Sequence, residues 1–260
     1  MSTHRARKRF GQHFLTDPGV IHAIVEAIRP QPSDTIVEIG PGPGAITRPL
    51  SRRAGHLHLV ELDRDLVASL KMEFAGQDNI TVHEGDALSF DFRALGDNLR
   101  VVGNLPYNIS TPLLFELLAQ RDVIQDMHFM LQKEVVDRMA AEPGSKAYGR
   151  LGVMLSCHQF IEPLFDVPPE SFDPPPAVIS AVVRLTPKPK DACVIHDEEH
   201  MSRMVAAAFG QRRKTLKNAL AEFANADQLL AAGIDPGLRA EQLDVDAFVS
   251  LSNALVSKPA

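Results

Sequence analysis

The sequence predicts an α/β fold: a parallel, doubly wound sheet with a small all-helical C-terminal domain. Three observations predict it. Strand and helix patterns alternate up to about residue 132, a glycine-rich turn follows the first strand of this alternation, and only helical patterns occur from about residue 190 onward. Of the 260 residues, 45% are hydrophobic and 23% are charged, which is typical of a folded domain and excludes a disordered or collagen-like chain.

The first helix and the first strand are marked by residues at their ends. Asp17 and Pro18 form a capped helix start, apolar residues follow at helical spacing, and a pair of prolines ends the helix. The β-branched run at 35–40 predicts a strand that closes in glycine. A helix of about ten residues is expected after the next loop, with Pro49 inside its pattern.

Later strands and helices of the alternation follow from β-branched runs and from apolar residues three or four positions apart. They are predicted at 56–62, 63–74, 80–86, 99–105, 110–120 and 126–132. Residues 133–160 have a helical pattern that is interrupted by a loop at 142–150. These elements complete the part of the chain that forms the sheet core.

Two late strands enclose a proline-rich turn and predict a hairpin at one edge of the sheet. They are expected at 160–165 and 178–185. The proline-containing segment 186–190 resembles a linker. We therefore expect a catalytic domain at 1–188 and a helical domain at 189–260.

Positive charge is concentrated in two short segments of an acidic chain. The formal net charge is −6, yet residues 1–10 carry +4 and residues 201–220 carry +5, which leaves −15 on the remainder. Phosphate binding needs a local basic patch rather than a high overall pI. A frayed tail or a solvated helix face explains either segment alone, whereas their separation from the acidic background favours a nucleic-acid partner.

Cysteine content and the N-terminal pattern indicate a reducing compartment. Cys157 and Cys193 are the two cysteines, and neither lies in a CxxC pair. Cys157 is in an apolar run and is expected to be a buried structural thiol. No apolar run approaches the ~18 residues of a membrane span, and the basic N-terminus lacks the apolar stretch of a secretory signal. We expect a cytoplasmic protein with no membrane partner.

Glycines and acids at predicted strand ends form a candidate nucleotide site. Gly40, Gly42 and Gly44 lie between a strand and a helix, where glycine allows close approach of the backbone to a ligand. Glu61 and Asp86 end the next two strands, and an acid at such a position binds ribose hydroxyls. The G-x-G-x-G spacing differs from that of dinucleotide sites and suits S-adenosylmethionine, which has no phosphate. A glycine-rich turn alone also occurs for packing.

The motif NLPY (104–107) after the fourth strand carries the chemistry. Asn104 offers a side-chain carbonyl and Leu105 a backbone carbonyl. Two acceptors on the exocyclic amine of adenine favour its pyramidal, nucleophilic form and disperse the charge that develops on methyl transfer. Pro106 stiffens the turn, and Tyr107 supplies an aromatic face for the target base. A plain strand-to-helix turn is the alternative.

Two histidines on one predicted strand do not indicate a metal site. His56 and His58 share one strand face, and no third ligand is evident in the sequence. We expect them to be surface or core histidines, and we expect no metal.

In their order and spacing these motifs resemble the ribosomal RNA adenine dimethyltransferases, a class I S-adenosylmethionine-dependent family with a Rossmann-like fold. The resemblance covers about residues 5–220 and includes the N-terminal motif RKRFGQHFL (7–15). It implies catalysis at Asn104, Leu105, Pro106 and Tyr107. The implied contacts with S-adenosylmethionine are Gln12, His13, Leu15, Gly40, Gly42, Glu61, Leu62, Asp86, Ala87 and Asn104.

The segment SFDPPPAV (171–178) resembles the F-x-P-x-P-K-V segment of the family. The resemblance implies that Phe172 is a second aromatic wall of the adenine pocket, facing Tyr107; a core residue at the hairpin is the alternative. Two positions depart from the family pattern, because His13 stands where Asn is frequent and Ala177 where Lys is usual. Histidine and asparagine both form hydrogen bonds, so His13 keeps a hydrogen-bonding side chain at its position. Ala177 lacks the positive charge that a lysine would bring.

Both basic segments are predicted to bind rRNA phosphates. The segment FGQRRKTLKNAL (209–220) resembles the small-subunit members of the family, with a helix presenting the basic side chains on one side. The implied RNA-binding residues are Arg5, Arg7, Lys8, Arg9, Arg212, Arg213, Lys214 and Lys217.

The resemblance implies a monomeric enzyme that dimethylates two adjacent adenosines near the 3′ end of 16S rRNA in the immature small subunit, with a role in subunit biogenesis. The large-subunit (Erm-type) members share the catalytic core, so NLPY does not separate the two. An RNA-binding assembly factor remains an alternative. A third alternative is a small-molecule methyltransferase or an NAD-dependent enzyme. The basic segments, NLPY and the Phe172 segment argue against it.

Overall fold

The structure is a computed structural model that describes residues 13–256. Its first half alternates strands and helices. In chain order the elements are β1 (Phe14–Leu15), α1 (Pro18–Ile28), β2 (Thr35–Ile39), α2 (Thr47–Ser51), β3 (His56–Glu61), α3 (Arg64–Glu73), β4 (Ile80–Glu84), β5 (Leu99–Asn104), α4 (Ser110–Ala119) and β6 (Ile124–Gln132).

The second half contributes two more strands to the sheet and then becomes helical. Its elements are α5 (Lys133–Met139), α6 (Arg150–His158), β7 (Gln159–Val167), β8 (Phe172–Asp173), β9 (Ser180–Pro187), α7 (Glu198–Gly210), α8 (Leu216–Ala219), α9 (Ala226–Ala231) and α10 (Val245–Leu255). From β9 to residue 256 the regular elements are helices, as the sequence predicts. No helix between residues 13 and 256 combines the length and the apolar character that crossing a membrane requires.

Local signals explain where the first helices begin. Asp17 caps α1, because its Oδ1 accepts hydrogen bonds from the backbone N–H groups of Gly19 and Val20 at 2.7 and 3.1 Å. This confirms the predicted helix start. The prediction of a ten-residue helix after the glycine turn is wrong, since α2 has five residues. Pro49 lacks the N–H that would bond to an earlier turn, so the helix does not begin before Thr47.

The main sheet has seven strands in the order β4-β3-β2-β5-β6-β9-β7. Strands β2 to β6 pair in parallel, and β9 pairs antiparallel with β6. The predicted parallel sheet is therefore confirmed, and the late strands lie at its edge, with β9 between β6 and β7. Parallel pairing brings the carboxyl ends of β2, β3, β4 and β5 to one edge, where α/β sheets bind ligands.

A second, two-stranded sheet is a feature that the sequence analysis missed. β1 pairs antiparallel with β8, so that Leu15 lies opposite Phe172 and Phe14 opposite Asp173. Backbone N–H groups of Thr16 and Asp17 also donate to the Ser171 carbonyl at 2.9 and 3.2 Å. Residues 14–17, which include the end of the N-terminal motif, are thereby joined to the segment before β9.

Apolar side chains of the strands and of α1 and α2 form one core cluster. Ile28, Leu50, Leu57 and Leu59 are each at most 1% exposed. Burying each such side chain contributes roughly 1.5–3 kcal/mol. This packing fixes the strand ends from which the loops at the carboxyl edge emerge.

Residue contacts divide the chain into two compact units. The first extends to Val136 and includes Glu162–Pro187, and the second combines Asp137–Ile161 with the chain from Lys188 onward. The predicted boundary at 188 and the change of unit after Pro187 nearly coincide, whereas residues 137–161 group with the later helices. The assignment of separate domains to 1–188 and 189–260 stays a prediction.

Candidate active site

A cavity opens at the carboxyl edge of the sheet. The segments that follow β2, β3, β4 and β5 converge there, and the N-terminal motif joins them. The lining residues fall in 13–15, 38–46, 60–63, 85–87 and 104–109. The predicted cofactor residues from His13 to Asn104 that the structure describes lie in these segments, together with Leu105, Pro106 and Tyr107.

The glycine turn after β2 is shaped by backbone conformations that other residues rarely adopt. Gly42 has a φ of 58°, and a Cβ atom there would lie 3.3 Å from the Phe14 ring. Its N–H donates to Oε2 of Glu61 at 3.2 Å. Glycine at this position therefore brings the turn, the N-terminal motif and the end of β3 together.

Two carboxyl groups at the cavity are buried beside polar partners that are not cations. Oε1 of Glu61 accepts the N–H of Asp63 at 2.9 Å, and burial raises the pKa of Glu61. Glu38 accepts the Thr47 hydroxyl at 2.7 Å and is 2% exposed, so its pKa is raised to about 7. Burial is the main cause, because it disfavours the charged form. Glu38 was not predicted as a site residue from the sequence. A glutamate within a β-branched strand pattern is the signal that could have identified it as a buried carboxyl group.

The remaining predicted cofactor residues lie at the rim of the cavity. Asp86 is exposed and its Oδ1 accepts the N–H of Leu88 at 3.0 Å. Ala87 is buried, and the apolar side chain of Leu62 is 50% exposed. An exposed leucine beside a cavity offers a flat apolar surface to a ligand.

Asn104 ends β5 with a fixed side-chain orientation. Its Nδ2 donates to the backbone carbonyl of His13 at 3.0 Å. Since an amide has one donor end and one acceptor end, this bond identifies Oδ1 as the acceptor toward the cavity. The Leu105 N–H donates to the Met130 carbonyl at 3.1 Å, which leaves β5 anchored to β6 where the NLPY turn begins.

Tyr107 is half-buried and has two side-chain neighbours. Its hydroxyl lies 2.8 Å from Oγ of Ser180, and its ring stacks on that of His13 with centroids 5.8 Å apart and planes at 26°. Burial raises the pKa of Tyr107. Nδ1 of His13 lies 2.8 Å from the carbonyl oxygen of Pro174, and because that oxygen only accepts, Nδ1 carries the proton.

Phe172 is buried in the core and is not among the residues that line the cavity. Its side chain is 4% exposed, and it pairs with Leu15 in the two-stranded sheet. This position favours the alternative, a core residue at the hairpin, and does not support the predicted second aromatic wall. A large apolar side chain gains more from burial in the core than from exposure at a polar rim.

The basic segment near residue 213 is a turn rather than one face of a helix. Helix α7 ends at Gly210 and α8 begins at Leu216, so Arg213 and Lys214 lie between the helices and Lys217 lies in α8. These three basic side chains are exposed. The expected single helical face is wrong, because glycine ends α7 before the basic run begins.

Arg212 is engaged by the protein itself. Its Nε lies 3.2 Å from Oε2 of Glu241, and its guanidinium donates to the backbone carbonyls of Lys146 and Tyr148. These contacts tie loop segments of the second unit together. The prediction that Arg212 binds phosphate is therefore not supported, whereas the predicted residues Arg5, Arg7, Lys8, Arg9 and Gln12 lie outside the described residues.

The histidines of β3 form a cluster with one histidine of β4. His58 Nδ1 lies 3.0 Å from Nε2 of His83, and His56 contacts Thr81. Burial, with the neighbouring histidines, lowers the pKa of His58 to about 4. Within residues 13–256 no group of three or more His, Cys, Asp or Glu side chains has an arrangement suited to a metal ion.

Comparison with known proteins decides the family. The family model described as Ribosomal RNA adenine dimethylase matches residues 3–257. The chain belongs to the ribosomal RNA adenine dimethylase family. It is therefore an enzyme, an rRNA adenine dimethyltransferase, as the motifs around residue 104 predict.

Curated relatives in this family are similar along almost their whole length. The chain is 57% identical over 258 residues to the Ribosomal RNA small subunit methyltransferase A of Aromatoleum aromaticum, covering 99% of this chain and 97% of the relative. It is 54% identical over 259 residues to the protein of the same name from Neisseria meningitidis, covering 99% of both.

Two solved structures of methyltransferases share the fold of this chain. A dimethyladenosine transferase from Plasmodium falciparum has a TM-score of 0.81 and 27% identity, covering 92% of this chain and 96% of that one. The 23S rRNA methyltransferase ErmE has a TM-score of 0.73 and 26% identity, covering 93% and 99%. The predicted α/β, Rossmann-like methyltransferase fold is confirmed.

Proposed function

We propose that this enzyme transfers methyl groups from S-adenosylmethionine to the exocyclic amines of two adjacent adenosines near the 3′ end of 16S rRNA. Each adenosine receives two methyl groups, and the substrate is the immature small subunit in the cytoplasm, where the monomeric enzyme also serves subunit biogenesis. The fixed amide of Asn104 at the cavity carries the proposal. Curated relatives at 54–57% identity have small-subunit names, which favours this substrate over that of ErmE.

The residues at the cavity fit S-adenosylmethionine. Gly42 has no Cβ atom and so lets the turn close against the Phe14 ring at the cavity, and Glu61 is a buried carboxylate whose partners are N–H groups rather than a cation. Gly40, Glu61, Leu62 and Asp86 would hold the nucleoside part of the donor. When bound, the donor supplies an electrophilic methyl group.

Asn104 and Leu105 would prepare the target amine. The lone pair of an adenine amine is delocalised into the ring, so the free amine is a weak nucleophile. Oδ1 of Asn104 and the carbonyl oxygen of Leu105 accept its two hydrogens, which favours the pyramidal form and stabilises the positive charge that develops on nitrogen. After the first transfer the positively charged nitrogen loses a proton to water and one hydrogen remains, so the second transfer has only one such hydrogen bond.

Tyr107 and the exposed basic side chains would bind the RNA. The Tyr107 ring offers a stacking face to an adenine taken out of its helix. Arg213, Lys214 and Lys217 would contact phosphates, together with the predicted basic residues before residue 10. Because this binding releases counterions, it should weaken steeply with salt despite the acidic pI.

Transfer of a labelled methyl group to undermethylated small subunits tests the function. We expect label at two adjacent adenosines of 16S rRNA, and we expect Asn104→Ala to lower the rate by at least about 100-fold while cofactor affinity changes little. The control is Asn79→Ala, which removes a similar amide bond, to the Ser51 carbonyl at 3.0 Å, outside the cavity.

Two results would contradict the proposal. Label found only in large-subunit rRNA would overturn the substrate, and full turnover by the Asn104 variant would overturn the mechanism. A transfer-dead variant that still restores subunit assembly would show that the assembly role is independent of catalysis.

A further inference from the structure

Tyr107 is held more firmly than stacking on a base requires. A phenyl ring stacks through its face and needs no hydroxyl, yet the Tyr107 hydroxyl lies 2.8 Å from Oγ of Ser180. Ser180 is 0% exposed and begins β9, opposite Gln132 of β6. The partner of the hydroxyl is therefore part of the rigid sheet rather than of a loop.

Other contacts restrict the same residue. The Ser110 hydroxyl donates to the Tyr107 carbonyl at 3.1 Å, and the His13 ring stacks on the Tyr107 ring. His13 also accepts the Asn104 amide through its backbone carbonyl. One connected set of contacts thus supports both Asn104, whose side-chain oxygen would accept from the amine, and the stacking ring of Tyr107.

The hydroxyl contact fixes the direction in which the Tyr107 ring extends from the backbone, because the hydroxyl oxygen lies far from the Cα–Cβ axis. The stacked His13 ring restricts rotation of the Tyr107 ring about its own long axis. Together these contacts define the plane in which a stacked base lies, and the plane defines where the amine points relative to Oδ1 of Asn104. In the first transfer two hydrogen bonds can orient the amine, whereas in the second only one remains. The ring plane therefore contributes a larger share of the orientation in the second transfer.

We propose that Ser180 is a positioning residue that acts through Tyr107 and whose loss slows the second methyl transfer more than the first. The proposal rests on the proposed function, since it concerns the transfer of two methyl groups to one adenine. Ser180 itself touches neither the donor nor the base in this role.

The contact can be measured without any assay of activity. The sequence has no Trp and two tyrosines, and the buried Tyr148 hydroxyl has no hydrogen-bond partner within residues 13–256. A Tyr148→Phe protein therefore loses no hydrogen bond there and keeps Tyr107 as its single phenol. Because the Ser180 hydrogen bond lowers the Tyr107 pKa against the raising effect of burial, adding Ser180→Ala should raise the pKa measured by absorbance titration. An unchanged titration would overturn the contact.

The kinetic test compares the two transfers on undermethylated small subunits. Ser180→Ala should lower the ratio of second to first transfer rate by about three- to ten-fold, the effect of one net hydrogen bond, with unchanged affinity for S-adenosylmethionine. Ser180→Thr should restore the ratio. The matched control is Ser252→Ala in α10, a 0% exposed serine whose Oγ lies 2.9 Å from Nδ1 of His200, which should leave the ratio unchanged.

A double-mutant comparison tests whether Ser180 affects the ratio of the two transfer rates through Tyr107. Tyr107→Phe removes the same hydrogen bond from the other side, so the double variant should lose no more than the larger single loss. Additive losses would overturn the proposal, as would a Ser180→Ala enzyme with the wild-type ratio. If the wild-type protein methylates no small subunit, the proposed function fails and the positioning role falls with it, whatever the titration gives.

Discussion

The two ends of the parallel sheet both bury charged groups, but they treat them in opposite ways. At the amino end, Arg100 of β5 contacts Asp34 at 2.7 Å and Asp126 at 2.9 Å, and it also donates to the Ile28 carbonyl at 2.6 Å. At the carboxyl end, Glu38 and Glu61 have hydroxyl and N–H partners, and neither forms an ion pair with a side chain of residues 13–256.

The difference appears in the ionisation of the carboxyl groups. Burial alone would raise the pKa of Asp126, but His128 and Arg100 outweigh it and hold that pKa below its ordinary value. Burial raises the pKa values of Glu38 and Glu61 and outweighs the effects that lower them, among which the charge of Arg48 is the smallest for Glu38. Burial of a charge therefore does not mark a functional site; a buried charge without a counter-charge in the protein does.

The largest effect is expected when the amino end loses its cation. Arg100→Met removes the cation that pairs with both Asp34 and Asp126 in a largely buried site, so the free energy of unfolding should fall by about 3–5 kcal/mol. Urea unfolding measures this. A triple variant that also carries Asp34→Asn and Asp126→Asn should recover much of the loss, because no unpaired charge remains. If the triple variant were as unstable as the single one, packing rather than charge would explain the loss.

The next largest expected effect is a difference between the two ends of the sheet in how they make the free energy of unfolding depend on pH. The pKa of Glu38 is higher in the folded chain, about 7, than its ordinary value of 4.5, so its contribution to stability is present below pH 4.5 and lost as the pH rises through 7. Glu38→Gln removes this dependence. The stability of the variant relative to wild type should rise by about 3 kcal/mol between pH 4.5 and 8.

Asp126 responds in the opposite direction. Its pKa is lowered on folding, so its contribution is present above its ordinary pKa and is lost as the pH falls through the folded value. The control for the Glu38 experiment is Glu84→Gln, which replaces an exposed carboxyl group. A stability difference for Glu38→Gln that changes no more with pH than that of the control would remove the contrast between the two ends.

The smallest expected effect concerns ligand binding at the carboxyl end. Glu61→Gln keeps an acceptor oxygen but loses the charge that strengthens hydrogen bonds to ribose hydroxyls, so the Kd for S-adenosylmethionine should rise about ten-fold. Calorimetric titration measures it. The control is again Glu84→Gln, because Glu84 lies opposite Glu61 in the sheet and pairs instead with Arg64. Equal affinities of the two variants would argue against Glu61 as a donor contact.

The sequence was sufficient for features with a local pattern. Alternation of strand and helix predicts the parallel sheet, and that sheet brings Gly42, Glu61 and Asn104 to one cavity because parallel strands end at the same edge. The Asp17 cap follows from two neighbouring residues. Each of these predictions rests on residue patterns within single helices, strands or turns.

Features that join distant segments were not predictable in this way. β1 and β8 have two residues each, too few for a recognisable alternation. The Tyr107–Ser180 pair spans 73 positions, and nothing near either residue signals the other. Arg212 and Arg213 are neighbours of the same type, yet only contacts with residues distant in sequence, such as Glu241, show that Arg212 is engaged within the protein.

The two-stranded sheet has a consequence for the order of events during synthesis. Phe14 finds its partner only at Asp173, so a nascent chain has made most of its first unit before the N-terminal motif can dock. Contacts so distant in sequence form late, because the loop between them must first be ordered. The His13 carbonyl that orients Asn104 belongs to this docked segment. A ribosome-bound fragment that ends before residue 173 should therefore have no competent active site.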